Sequence, residues 1–98
     1  MQHELAFAQL IAGRYDEAVS LATAALQVQP SRGVTLRVAI AGHALAGRID
    51  EARKVLAAHM KIELDTRIST LRETYLRRLR PEVFEIVVDG LRKAGFPE

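Results

Sequence analysis

The chain has 98 residues, enough for one domain or a short array with a small core. Hydrophobic residues make up 49% and charged residues 27%, which excludes a disordered segment, and a formal charge of +2 gives no strong cationic field. The absence of cysteine excludes disulfides and thiolate metal sites and suits a reducing cytoplasm, while no apolar run is long enough for a bilayer and no signal-peptide pattern opens the chain.

Taken in order, nearly everything reads as helix with short punctuated connections. Leu5 to Ala12 form the end of a first helix, stopped by Gly13, which takes the left-handed conformation at low cost. Asp16 and Glu17 open a second helix with negative charge at its positive end, and Ala18, Val19, Ala22 and Leu26 mark its apolar stripe. Pro30 ends it and Ser31-Arg32-Gly33 makes the turn. A third helix runs from about Val34 to Ala46 and closes at Gly47; Asp50 and Glu51 open a fourth that reaches roughly Met60. Ile68, Leu71, Tyr75 and Leu79 mark one face of a fifth helix. Phe84, Val87, Val88 and Leu91 mark a sixth, with Pro81 at its start and Gly95 at its end.

Within this order one hexapeptide appears twice. Gly13-Arg14-Tyr15-Asp16-Glu17-Ala18 returns as Gly47-Arg48-Ile49-Asp50-Glu51-Ala52, at an offset of 34 (47 minus 13). The period extends beyond it: Ala8 pairs with Gly42, Leu10 with Ala44, Ile11 with Leu45, Ala12 with Ala46, Val19 with Arg53, Ala22 with Leu56 and Leu26 with Met60. Most pairs keep apolar character or small size, so a whole helical hairpin is repeated, as in stacked helix-turn-helix arrays. Ala18 and Ala52 fall where the two helices of each hairpin cross closely, and a larger side chain there would overpack by about 1–3 kcal/mol. A second step of the same offset carries Glu51 onto Glu85 but Gly47 onto Pro81 and Ala52 onto Ile86, so the third unit reads as a divergent closing pair. The expected divisions are two hairpins over 1–30 and 33–64, followed by a capping helix pair over 65–98.

These residues resemble the tetratricopeptide repeat, a helical hairpin of about 34 residues. Leu5 and Ala6 fall on its large and small first-helix positions, and Gly13, Tyr15, Ala18, Ala25 and Pro30 on its turn glycine, aromatic, two small residues and terminal proline. In the second copy Leu36, Ala39, Gly47 and Ala52 match, whereas His43, His59 and Leu64 depart from an aromatic, a small residue and the proline. The resemblance implies an all-α, right-handed superhelix of about six helices, two repeats and a closing hairpin. The first copy starts so near Met1 that its opening helix looks clipped, which predicts further repeats upstream in a longer parent chain. The ending, Leu91-Arg92-Lys93-Ala94-Gly95-Phe96-Pro97-Glu98 after an amphipathic helix, is similar to the C-terminal region of bacterial proteins that join a class III adenylate or guanylate cyclase domain to such repeats. That likeness implies a regulatory or scaffolding segment, with catalysis elsewhere in the parent.

Catalytic chemistry finds no support in the residues. Ser20, Ser31 and Ser69 sit in no strand-to-helix elbow, the acidic residues mostly open helices, and the glycines stand singly at helix ends instead of in a phosphate-cradling loop. His43 and His59 lie on adjacent helices and with Glu63 or Asp65 would in principle hold zinc, but no ligand spacing supports it and helix packing explains both; no cofactor is expected. His3 lies near the terminus. Arg67, Arg72, Arg77, Arg78 and Arg80 crowd the fifth helix against Asp65 and Glu73. A solvated face is the first reading of that cluster, an acidic protein the second, and nucleic acid the last, because no aromatics interleave for base stacking. A helix-turn-helix reader is disfavoured by Glu82, Glu85 and Asp89 on the helix that would meet phosphate.

By the family register the first helix of each repeat lines an inner groove. His3, Phe7, Leu10 and Ile11 would face it from the first copy, and Arg37, Ala41 and Ala44 from the second. An apolar floor beside Arg37 suits a short helical or extended segment with an apolar anchor and a carboxylate. The asparagine and lysine pattern that clamps a C-terminal carboxylate in chaperone-binding members is missing. The leading expectation is a non-catalytic module that docks a protein or peptide, acidic in character. Self-association through Phe7, Leu10 and the rest of the first helix is the alternative, followed by regulation of a linked cyclase and, last, nucleic-acid binding.

Overall fold

Gly13, Gly47 and Gly95 end three helices in the same way. Their φ angles are 82°, 88° and 92°, in the left-handed region that glycine enters most cheaply. Each turn carries the same pair of backbone hydrogen bonds. Arg14 N–H donates to the Gln9 carbonyl (2.9 Å) and Gly13 N–H to Leu10 (3.1 Å); Arg48 repeats this to His43 (2.8 Å) and Gly47 to Ala44 (3.0 Å). Phe96 does so to Leu91 (2.9 Å) and Gly95 to Arg92 (3.0 Å). This pattern satisfies carbonyls that a helix end would otherwise leave open.

The computed structural model describes residues 2–29, 33–62, 66–75 and 81–98. Among them the chain forms six helices and no strand: α1 (Gln2–Ile11), α2 (Tyr15–Val28), α3 (Gly33–Leu45), α4 (Ile49–Ile62), α5 (Ile68–Tyr75) and α6 (Pro81–Ala94). The expected all-α architecture is therefore what the chain adopts. Pro30, Ser31, Arg32, Leu64 and Leu79, which the sequence assigns to turns and to the fifth helix, lie outside the described residues.

Helices α1 and α2 form one hairpin and α3 and α4 the next, and the two stack through α2 against α3. Ala6, Ala18, Ala22 and Ala52 are fully buried, because only a methyl group fits where the helices cross. Tyr15 packs half-buried against this core and Ala25 is half-buried near the end of α2. At the α2–α3 crossing Gly42 is the limiting residue: a Cβ there would lie 2.7 Å from Val19 Cγ2.

Helix α3 is enclosed on every side. Residues 35–42 and Ala44 are all buried, and α1, α2, α4 and α6 all pack against it. Its sequence has almost no polar stripe, as expected of a helix buried all round. The last wall is α6, which buries Phe84, Val88, Leu91 and Ala94. It packs chiefly on α3 and only lightly on α4. Gly90 makes this possible. A Cβ at that position would lie 2.8 Å from both Cα and Cβ of Ala41 and 2.9 Å from its carbonyl oxygen, so the two helices meet backbone to backbone.

The final turn returns to α5. Ile68 N–H and Ser69 N–H donate to the main-chain oxygens of Pro97 and Glu98, at 2.8 Å each, and so fill the first open donors of α5. Arg92 Nε donates to the Glu98 carboxylate at 3.0 Å, an exposed pair that adds little. Helix α6 thus lies mainly on α3, and α5 packs on α6. Gly42, Ala46 and Gly47 recur in sequence as Gly90, Ala94 and Gly95, at an offset of 48 (90 minus 42).

Candidate functional site

The residues expected to line a groove are distributed unevenly. Leu10 and Ala41 have no exposed surface, Ala44 is 3% exposed and Arg37 is 8% exposed. Their side chains are interior, so the wall of the groove expected on α3 is covered instead of open. The cause is α6, whose Gly90 sits on Ala41. Ile11 is half-buried. The side chains of His3 and Phe7 lie outside the described ones.

Arg37, expected to offer charge to an acidic ligand, points instead into a small interior cluster. Its Nη1 lies 3.3 Å from Nε2 of His59. A guanidinium can only donate, so His59 accepts at Nε2, which places its ring proton on Nδ1. The His59 ring is fully buried and lies 5.3 Å from the Phe96 ring at 55°, an edge-tilted contact. This cluster ties α3, α4 and the turn after α6 together. Phe96 is also one of the residues that carry the likeness to cyclase-linked proteins, as are Leu91 and Gly95; each has a packing or capping role here.

His43 belongs to a second, separate cluster. Arg48 donates from Nε to His43 Nδ1 (3.1 Å) and from Nη1 to Asp16 Oδ1 (2.6 Å). Burial holds His43 below its ordinary value, the neighbouring Arg48 cation lowers it further, and Glu51 and Asp16 offset part of this. The two histidines considered as a zinc pair therefore serve different arginines. Glu63 and Asp65, the carboxylates considered with them, lie outside the described residues, as do Arg77, Arg78, Arg80 and the side chain of Arg72. Arg67 is exposed.

The Arg48–Asp16 pair shows why the hexapeptide repeats its charges as well as its glycine and alanine. Arginine of the second copy reaches aspartate of the first, so the motif carries both halves of a joint between hairpins. Sequence reading passes over that joint, although the signal lies in the repeated Arg and Asp. Two large apolar side chains are exposed among the described residues, Val28 and Ile62. They too are repeat equivalents, at the last positions of α2 and α4.

No described helix is long and apolar enough to cross a membrane, and no three histidine, cysteine or acidic residues among those described could hold a metal ion together. Among known families, the one described as tetratricopeptide repeat matches residues 9–74 of the chain. No curated protein and no solved structure gave a match.

Proposed function

The chain belongs to the tetratricopeptide-repeat family, whose repeats generally mediate contacts between proteins, and we propose that it is a non-catalytic docking module that receives its partner on the first hairpin. One observation carries this reading. Ile11 keeps part of its surface in water, while Leu10 and the α3 residues Ala41, Ala44 and Arg37 are covered. A partner peptide or helix would then anchor an apolar side chain beside α1. With Arg37 turned inward, its charge is not offered to an acidic ligand on that wall. Peptides selected from a random library against the full chain provide the test. Ile11→Glu should abolish their binding with an unchanged helical circular-dichroism spectrum; equal binding, or no selectable peptide, contradicts the assignment.

Regulation or scaffolding of a linked cyclase is a narrower form of the same proposal. Its support is the likeness of residues 91–98 to the ends of such proteins. Removing residues 1–98 from a cyclase-bearing parent should alter nucleotide turnover or its control.

Self-association is the second reading. Ala8 and Arg14 are exposed on the first hairpin, whereas their repeat counterparts Gly42 and Arg48 are covered to a greater degree by a neighbouring hairpin.

A further inference from the structure

The joint between the two hairpins can be transferred to the surfaces at either end of the pair. Within the chain, α3 meets α2 through Gly42 against Val19 and through Arg48 to Asp16. Shifted back by one repeat, the α3 side of this joint becomes Ala8, Ile11, Ala12 and Arg14. Ala8, Ala12 and Arg14 are exposed and Ile11 is half-buried. Shifted forward by one repeat, the α2 side becomes Ile49, Asp50, Arg53 and Leu56. Asp50 and Arg53 are exposed, and Ile49 and Leu56 remain half-buried. Helix α6 covers α3 at Ala41 and leaves Asp50 and Arg53 in solvent.

We propose that a second copy of this chain docks head to tail, placing its Ala8–Arg14 face on the Ile49–Leu56 face of the first, with Arg14 of one copy paired to Asp50 of the other. This rests on the self-association reading and names its surfaces. Charge complementarity favours it, since Arg14 and Asp50 are the repeat equivalents of a pair already formed at 2.6 Å inside the chain. The steric change is compensated as well. Inside the chain a residue with no Cβ, Gly42, faces the stiff, branched Val19; between copies Ala8, with one, would face Arg53, whose single Cγ can turn aside. Contact of this kind joins unlike faces and so extends beyond two copies unless it closes into a ring. A joint with one exposed ion pair is weak and falls off with salt.

Sedimentation velocity on the full chain over a wide concentration range tests this. Wild type should show a mass that rises with concentration. Arg14→Asp and Asp50→Arg should each weaken association by about tenfold, because each sets like charges against each other. An equimolar mixture of the two variants should restore it, since the aspartate introduced in one then meets the arginine introduced in the other and the second junction is the native pair. The mixture controls for misfolding, as neither fold is altered on mixing. A wild type that stays monomeric throughout overturns both self-association and this pairing. Association that persists unchanged in the single variants, or that mixing fails to rescue, overturns the pairing alone.

Discussion

Gly90 and Ala41 set a backbone-to-backbone approach, and their effect runs against simple helix preference. In an isolated helix, replacing glycine by alanine gains about 0.5–1 kcal/mol. At Gly90 the added methyl would sit 2.8 Å from the Ala41 backbone, where nothing flexible can yield. Gly90→Ala should therefore lower stability by about 1–3 kcal/mol in urea titration; a stabilised variant would show that α6 does not lie on α3. Gly47 offers a contrast. Nothing lies within 4 Å of a Cβ built there, yet its φ is 88°, so Gly47→Ala should cost about 1–2 kcal/mol through backbone strain alone. Arg37→Glu also belongs at this scale. It would put a carboxylate in the buried place of a guanidinium that donates to His59, and its main effect should be a loss of thermal stability, seen by circular dichroism without any ligand. An unchanged melting curve would place Arg37 back on an open surface.

Among elements, the joint between hairpins carries a titrating group. His43 accepts from Arg48 only while neutral, and burial together with Arg48 holds its folded-state value below the ordinary 6.5. Its contribution to stability is then fully present above about pH 6.5 and is lost as pH falls through the lower folded value. Denaturant midpoints of wild type and His43→Gln from pH 5 to 8 check this: the gap between them should narrow as the solution is acidified, and a constant gap contradicts it. The elements also show what can be read in advance. The hexapeptide locates both hairpins because its glycine, acidic pair and alanine each have a local job. Glycine makes the cap, the acidic pair meets the helix dipole and alanine fits the crossing. The groove is not legible in the same way. Family register tells which residues of α3 share a face, but what covers that face comes from Gly90, far along the chain from Ala41. The lack of a polar stripe on α3 is the local sign that its sides are largely covered. The position of α6 is hidden for a second reason: its glycine and alanine follow an offset of their own, so a search at the repeat period passes over them.

On the scale of the whole molecule, the array closes its own inner face. Phe84, Val88, Leu91 and Phe96 are buried, and at about 1.5–3 kcal/mol for each large apolar side chain the final helix and turn are an integral wall, not a loosely held strap. Ala8, Ala12 and Arg14 on the first hairpin and Asp50 and Arg53 on the second are exposed, and these are the residues the proposed contacts would use. The most direct measurement is the nuclear Overhauser contact between the Ala41 methyl group and the Gly90 α-protons in solution, with alanine methyls labelled. With α6 seated on α3, that methyl should give strong cross-peaks to both Gly90 α-protons and should not be broadened by a soluble paramagnetic probe. An Ala41 methyl that lacks those cross-peaks and is broadened by the probe would mean that the groove is open and α6 lies elsewhere.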